Sequence, residues 1–432
     1  MTKTTRPALL LAALLLLALL AEAMTLTMPL SQVKPGMKGR GKSVFQGRAA
    51  EDFEVEILGI MENVTPRRSV ILARLKGRGL ETTGIIGGMS GSPVYIDGKL
   101  IGAVAYGFSF SKEPIAGITP IEEMLAVGAA PEGPARGGAA PLTLREDLSQ
   151  EDLSGAYLRA LAVAAAPAET DRTVAPLELP LMFGGFPAAA FEKARSFFAP
   201  LGFRPLRSGA AAQVPLGSDP AGPSLREGDA VGVQLVGGDL DLSAVGTVTY
   251  VDGARVLAFG HPVYNLGRVD YAMTRAEVIA VLPSLESSVK LSAAGPVIGR
   301  FTEDRTPGAA GEVGVMPRLV PLNIALRTGP GARRDFKLKL VADKFLTPAL
   351  VNMAVAGLVT GEQRSYGDLS LEVSADVFLD QGGLSVHLED LFTGSYDGPP
   401  TSLSGLLAAV VQVLMNNEFK DVGIFRIDLE VK

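Results

Sequence analysis

Apolar and polar positions alternate with a period of two over much of this chain, and a period near 3.6 surfaces only in a few places. "FEVEILGI", Phe53 to Ile60, alternates, and "SVILARL", Ser69 to Leu75, is a short apolar run; both predict strands. "SPVYI", "DGK" and "LIGAVAYGF" predict a hairpin with Asp97-Gly98 at its turn. "TPIEEMLAV", Thr119 to Val127, predicts a helix behind a cap. "SQEDLSGAYLRALAVAAA" and "AAAFEKARSFFAPLG" (Ala188 to Gly202) predict two more. From Leu225 the strand pattern returns in "AVGVQLVGG", "AVGTVTYVDGARVLAFGHPV" and "LVPLNIALRTG". The last hundred or so residues read as strands ("DFKLKLVA", "LSLEVSADVFL", "LSVHLEDLF", "IFRIDLEVK") plus one helix, "SLSGLLAAVVQVLMNNE". The chain stops on a strand, so it is expected to be shorter than its relatives.

Composition divides this pattern into units. A chain of 432 residues with 50 glycines and 29 prolines favours several small, turn-rich cores over one large one. "APEGPARGGAAP" and "GAAAQVPLGSDPAGP" (Gly209 to Pro223) have linker composition. The expected units are residues 24–130, a linker and small helical segment over 131–224, residues 225–330, and a β-rich accessory domain over 331–432. At the N-terminus, Lys3 and Arg6 precede an apolar run from Ala8 to Leu20 and a small-x-small site at Ala21-Glu22-Ala23. That is the pattern of a signal peptide over 1–23, with an uncleaved N-terminal membrane anchor as the alternative. Either way the body of the protein is expected outside the cytoplasm, secreted or periplasmic. No other stretch is expected to span a bilayer. A net charge of -6 gives no reason to expect nucleic acid as a partner, and with no cysteine there is no disulfide, thiol chemistry or zinc–thiolate site.

Candidate chemistry is sparse. "GMKGRGKS", Gly36 to Ser43, satisfies the phosphate-loop expression, but a proline-bearing segment precedes it and "VFQG" breaks any helix after it, so it is rejected. Ser90, in Gly88-Met89-Ser90-Gly91-Ser92-Pro93, sits in a glycine-rich turn ahead of a hairpin. Such a turn can aim the backbone amides of Gly88 and Ser90 at one spot, as an oxyanion hole requires. The plainer alternative is a glycine-rich turn between strands. A nucleophilic serine needs a base, and there are two histidines, His261 and His387. His261, between Gly260 and Pro262 at a strand end, is poorly suited to filling a core; His387, in "LSVHLED", reads as a structural or surface residue. No metal constellation and no cofactor motif is visible.

The segment "GIIGGMSGSPVYIDGKLIGAVAYGF" resembles the stretch around the nucleophile of chymotrypsin-like proteases and, together with "VLAFGHPV", is similar to the SpoIVB peptidase family. The similar segments cover roughly 31–130 and 231–320. The resemblance implies a mainly β fold with two chymotrypsin-like barrel halves, helical insertions and the β-rich C-terminal domain. It implies Ser90 as nucleophile and His261 as base, with no cofactor. Two features depart from the family. The serine half precedes the histidine half here, which a barrel pair tolerates because such a site is defined by geometry. The family's aspartate is matched by Leu75, so the orienter of His261 is open among Asn265, Asp270, Glu303 and Asp304, or is absent in a dyad. "GRFTEDRTPGAAGEVG", Gly299 to Gly314, resembles a glycine-rich segment of the family and is expected to be a groove or structural loop.

The expected function is that of an exported SpoIVB-like serine endopeptidase acting on proteins or peptides. The alternative is a catalytically weak or inactive relative that binds peptides or serves as an envelope scaffold, for which Leu75 is the best support.

Overall fold

The structure is a computed structural model that describes residues 25–108, 111–128, 175–208, 224–328, 332–362, 367–395, 398–417 and 419–432. The expected signal peptide and the helix expected within 149–166 lie outside the described residues.

The predicted strands form, and they close. β1 (Lys38–Val44), β2 (Ala50–Thr65), β3 (Arg68–Lys76), β4 (Ile86–Gly87), β5 (Pro93–Ile96), β6 (Lys99–Gly107) and β7 (Ile115–Pro120) make up the N-terminal part. Six of them run in the order β5-β1-β2-β3-β7-β6, and β6 returns to β5, so the sheet is a closed antiparallel barrel. Alternation explains the closure: along β3, Ile71, Ala73 and Leu75 are buried, and they meet Phe53, Val55 and Ile57 of β2 in one apolar cluster. The hairpin turn forms at Asp97 (φ +49°) and Gly98 (φ +74°), the left-handed pair that such a turn requires. β1 runs through the rejected phosphate-loop match, and no helix follows it.

β8 (Ala175–Pro176), β9 (Leu179–Gly184) and β10 (Phe203–Arg207) come next, with helix Ala188–Phe198 between the last two. β9 and β10 pair in parallel, so this stretch contributes strands as well as the expected helix. β11 (Ala230–Gly238), β12 (Asp241–Asp252), β13 (Arg255–Ala258), β14 (Gly267–Leu282), β15 (Ser288–Arg305) and β16 (Gly308–Val313) then run β12-β13-β16-β15-β14-β11, and β11 pairs back with β12. This is a second closed antiparallel barrel. Gly299 to Gly314, expected as a loop, is the β15–β16 hairpin wall of it.

The sheet continues from β11 into β18 (Arg333–Val341), which pairs with β17 (Leu319–Arg327) and leads on to β21 (Ile424–Val431), β19 (Asp368–Leu379) and β20 (Ser385–Ser395). Two helices pack here rather than the single one expected. Helix Leu346–Glu362 is apolar on all sides and buried over most of its length, so it lacks a polar stripe to announce it. Its start is capped: the Asp343 carboxylate accepts from the amides of Phe345 and Leu346, and Thr347 Oγ1 accepts from the Asp343 amide. Helix Gly398–Met415 has the length and apolar composition of a membrane span, contrary to the expectation that no further stretch would. It lies mostly buried against helix Leu346–Glu362 and strands β19 and β20, as the core helix of a folded unit does.

Candidate active site

The site lies where the two barrels meet. Ser90 sits in the turn between β4 and β5, and His261 follows β13 of the second barrel. Although 171 positions apart in sequence, Ser90 Oγ and His261 Nε2 are 2.8 Å apart. His261 Nδ1 is 2.8 Å from the carbonyl oxygen of Pro262. A carbonyl can only accept, so Nδ1 carries the ring hydrogen and Nε2 presents its lone pair to the Ser90 hydroxyl. That is the tautomer in which an imidazole can take a proton from serine.

Glycine geometry on both sides makes the approach. Gly88 (φ +94°) and Gly91 (φ +95°) are both left-handed, and a Cβ on Gly91 would lie 2.0 Å from the Thr247 carbonyl oxygen. With no Cβ there, the serine turn lies directly on β12. The Thr247 amide donates to the Ser90 carbonyl (2.8 Å), Thr249 Oγ1 to the Gly91 carbonyl (2.7 Å) and Thr247 Oγ1 to the Gly88 carbonyl (3.1 Å). On the other side Phe259 (φ +71°) and Gly260 (φ +69°) form a left-handed pair that swings His261 off the end of β13. For a phenylalanine that is a strained conformation. It is held by burial of the ring edge-to-face on Phe301 and by Thr119 Oγ1 donating to the Gly260 carbonyl (2.6 Å).

Within the turn, the amides of Met89, Gly91 and Ser92 donate to the carbonyls of Ile86, Val104 and Met89. The Gly88 and Ser90 amides, expected to form the oxyanion hole, make none of these turn hydrogen bonds. Ser90 is fully buried and His261 is 2% exposed. Burial lowers the imidazole pKa to about 4, so His261 is neutral at pH 7.

The open question of the orienter has an answer in the backbone. Leu75 is buried in the first barrel, paired with Val55 across β2 and β3. Asn265 Oδ1 accepts from Thr306, Asp270 accepts from the Arg318 amide, and Glu303 pairs with Arg305. None of these reaches the ring, whose Nδ1 is bonded to the Pro262 carbonyl. Asp304 acts one step away. It is fully buried, and its carboxylate accepts from the amides of Val263 (2.7 Å) and Tyr264 (2.6 Å) and from those of Asn265 and Leu266. It thus anchors the loop that leaves His261 without touching the imidazole. His387 is far from this chemistry, on β20 between Asp376 and Glu389.

A buried lysine lies under the turn, in a strand whose alternation reads as placing it on the wet face. Lys290 of β15 is 1% exposed, and its Nζ donates to Ser43 Oγ (2.8 Å), which also accepts from Ser92 Oγ (2.9 Å). With both lone pairs used, the Ser43 hydroxyl is left to donate to Thr247 Oγ1 (3.5 Å), and Thr247 donates on to the Gly88 carbonyl. The lysine stem packs against the face of Gly88, where a Cβ would meet it at 3.2 Å. Desolvation lowers the Lys290 pKa to about 7. The native state therefore sheds a proton near pH 7 that the unfolded chain keeps to about 10.5. The unfolded chain binds more protons across that window, so stability rises with pH through it. Lys290→Met should remove this rise, which is bounded at roughly 5 kcal/mol. Urea midpoints of both proteins at about pH 7 and about pH 10 check it: parallel changes would mean that Lys290 does not titrate as its burial requires.

No curated protein and no solved structure matches the chain. The model of the SpoIVB peptidase S55 family matches residues 19–125, which include the whole serine turn and the hairpin after it, whereas the His261 barrel lies outside the match. About a quarter of the chain is therefore covered, and over that quarter it is similar to a family of serine peptidases, those of the SpoIVB type.

Proposed function

We propose that this chain is an exported serine endopeptidase of the SpoIVB type that cleaves protein or peptide substrates outside the cytoplasm. The observation that carries the reading is the 2.8 Å contact between Ser90 Oγ and a neutral His261 Nε2 at the junction of two barrels. Ser90 Oγ attacks the scissile carbonyl while Nε2 takes its proton, and the amides of Gly88 and Ser90 receive the negative oxygen. The imidazolium then gives the proton to the leaving amine, and water repeats the sequence on the acyl-enzyme. No cofactor enters this chemistry. Nδ1–H stays on the Pro262 carbonyl throughout, so the pair works as a dyad oriented by backbone.

A second reading, a silent peptide-binding or envelope scaffold, is favoured by one observation: among the described residues the His261 Nδ1 is bonded to the Pro262 carbonyl and not to an acid, and Leu75 stands where the family resemblance places one. A fluorophosphonate probe separates the two. It traps an activated serine irreversibly, so even brief exposure of a buried site accumulates as adduct. The expected result on the chain from Met24 onward is one adduct on Ser90, lost in Ser90→Ala. Folded wild-type protein that stays unlabelled on prolonged incubation overturns the peptidase reading in favour of the scaffold.

A further inference from the structure

A peptidase site that is fully buried must be covered by something, and one short segment of this chain lies along the approach to it. β6 leaves the nucleophile hairpin, and its Val104 exchanges backbone hydrogen bonds with the serine turn: the Gly91 amide donates to the Val104 carbonyl and the Val104 amide to the Ser92 carbonyl. On the other side, the Cα of Gly260, next to His261, faces Ala103 and Ala105. The end of β6, Ala105 to Gly107, thus runs out between the two halves of the site. Along it lies β8, antiparallel, with Pro176 opposite Tyr106 and Ala175 opposite Gly107. The Leu177 amide donates to the Ala105 carbonyl at 2.9 Å. The Glu178 carbonyl then comes to Gly87, where a Cβ would stand 3.0 Å from it.

The segment therefore enters along the β6 edge and leaves beside the glycines of the serine turn, so the Leu177–Glu178 peptide passes between Ala105 and Gly87. The Leu177 side chain is 8% exposed and joins the apolar cluster that contains Ile86, Met89 and Val104. Gly107 makes room for it: a Cβ there would lie 2.8 Å from Leu177 Cδ2. Backbone pairing to a free strand edge, with one side chain in an apolar pocket, is a common way to bind an extended peptide. Pro176 lacks an N–H and sits at the position whose N–H would point away from the edge, so the pairing loses nothing by it.

We propose that Ala175–Leu177 occupies the peptide-binding edge of the site as an internal pseudosubstrate. The substrates are then extended peptides with an aliphatic residue, leucine here, immediately before the bond to be cut, and they enter by displacing this segment. The proposal rests on the serine-peptidase reading for its meaning, but its test does not need catalysis. In a Ser90→Ala background, the labelled peptide Ala-Pro-Leu-Glu-Leu, the chain's own residues from Ala175 to Leu179, is titrated by fluorescence anisotropy. Apparent affinity is the intrinsic affinity scaled by the open fraction, so freeing the edge with Leu177→Asp should tighten binding by about tenfold or more.

The same peptide with Asp for Leu should bind weakly to both proteins. Because Leu177→Asp risks misfolding, Leu177→Ala is measured beside it, and hydrogen exchange is followed in Ser90→Ala itself. Excess peptide should expose the Leu177 amide to exchange. Equal binding with and without the Leu177 substitutions, no binding to any variant, or a Leu177 amide that stays protected while peptide is bound would each overturn the proposal. Fluorophosphonate labelling of the Leu177→Asp chain keeps the two readings apart. Labelling without a gain in peptide binding retains the peptidase and removes the pseudosubstrate, and the converse removes only the peptidase.

Discussion

His261→Ala should slow fluorophosphonate labelling of Ser90 by on the order of 10⁴-fold or more while leaving the fold intact, the largest loss expected from a substitution that spares Ser90. A serine hydroxyl is almost entirely protonated at neutral pH, so its reactivity depends on a base that takes the proton as the bond forms. Nε2 is the ring atom in reach of Ser90 Oγ, and its lone pair faces the hydroxyl because Nδ1–H is committed to the Pro262 carbonyl. The pH profile carries a second test. With the site closed, burial holds the imidazole at a pKa of about 4, so the labelling rate should stay level down to about pH 5 and fall below it. Opening the site with Leu177→Asp should restore solvent to the ring and move the midpoint up toward 6.5. Stability follows the same group. The unfolded chain protonates this histidine near 6.5 and the native state only near 4, so stability is lost as pH falls between those values. A profile centred near 6.5 in the wild type, or undiminished labelling in His261→Ala, would remove His261 as the base.

The serine half precedes the histidine half along the chain, and the two turns nonetheless meet. What the site needs is one turn from each barrel brought edge to edge, and the contacts that do so are local to the turns. Thr247 and Thr249 bind the carbonyls of the serine turn from the second barrel, and Thr119 binds the carbonyl of Gly260 from the first. β15 reinforces the junction, since its first residues pair in parallel with β4 just before the serine turn while Asp304, near its far end, anchors the loop after His261. Either barrel can come first if these contacts are kept.

That Ser90 and His261 would meet could be read in the sequence, because each stands beside glycines that let backbones approach closely. Gly88 and Gly91 around the serine and Gly260 before the histidine all adopt left-handed φ at the junction. Strand character likewise announced both barrels: β3 alternates from Ile71 onward, whereas β12 is buried on both faces from Leu242 to Tyr250 because it lies between the barrel interior and the serine turn. The closure of the barrels was expected only through the family resemblance, because pairings such as β5 with β6 and β11 with β12 depend on where strands meet and leave no mark on either strand alone. The orienter of His261 was sought among side chains with acids or amides, and it is a backbone carbonyl that any residue at position 262 would supply. Lys290 hid in "SSVKLSAAG", where a lysine in an alternating strand reads as the wet face until the second barrel is packed against the first. Helix Leu346–Glu362 hid for the opposite reason, being apolar on every side, although Asp343 and Thr347 formed a cap that could have been read.

Asp304→Ala should destabilise the protein by about 3–5 kcal/mol and slow labelling of Ser90, and the way these two losses combine decides what Asp304 does. In the native protein four consecutive amides, from Val263 to Leu266, converge on this one buried carboxylate. Alanine leaves all four donors without an acceptor in a site too buried for water to replace it, and each unpaired buried donor costs roughly 1–3 kcal/mol before the loop relaxes. Relaxation is the functional point, since the loop begins at Pro262, whose carbonyl holds the imidazole. Asp304→Asn is the sharper variant, because it keeps the shape but turns one acceptor oxygen into a donor facing an amide. As Asp304 does not touch the ring, neither variant alters which nitrogen carries the hydrogen. Labelling should therefore fall by about 10- to 100-fold rather than by the ~10⁴ that follows a wrong tautomer. Part of the loss should also return at lower temperature as the loop regains its native position. Thermal unfolding beside labelling rates for both variants measures this. A loss in Asp304→Asn as large as in His261→Ala, with little change in stability, would instead make Asp304 a direct partner of the imidazole when Ser90 reacts.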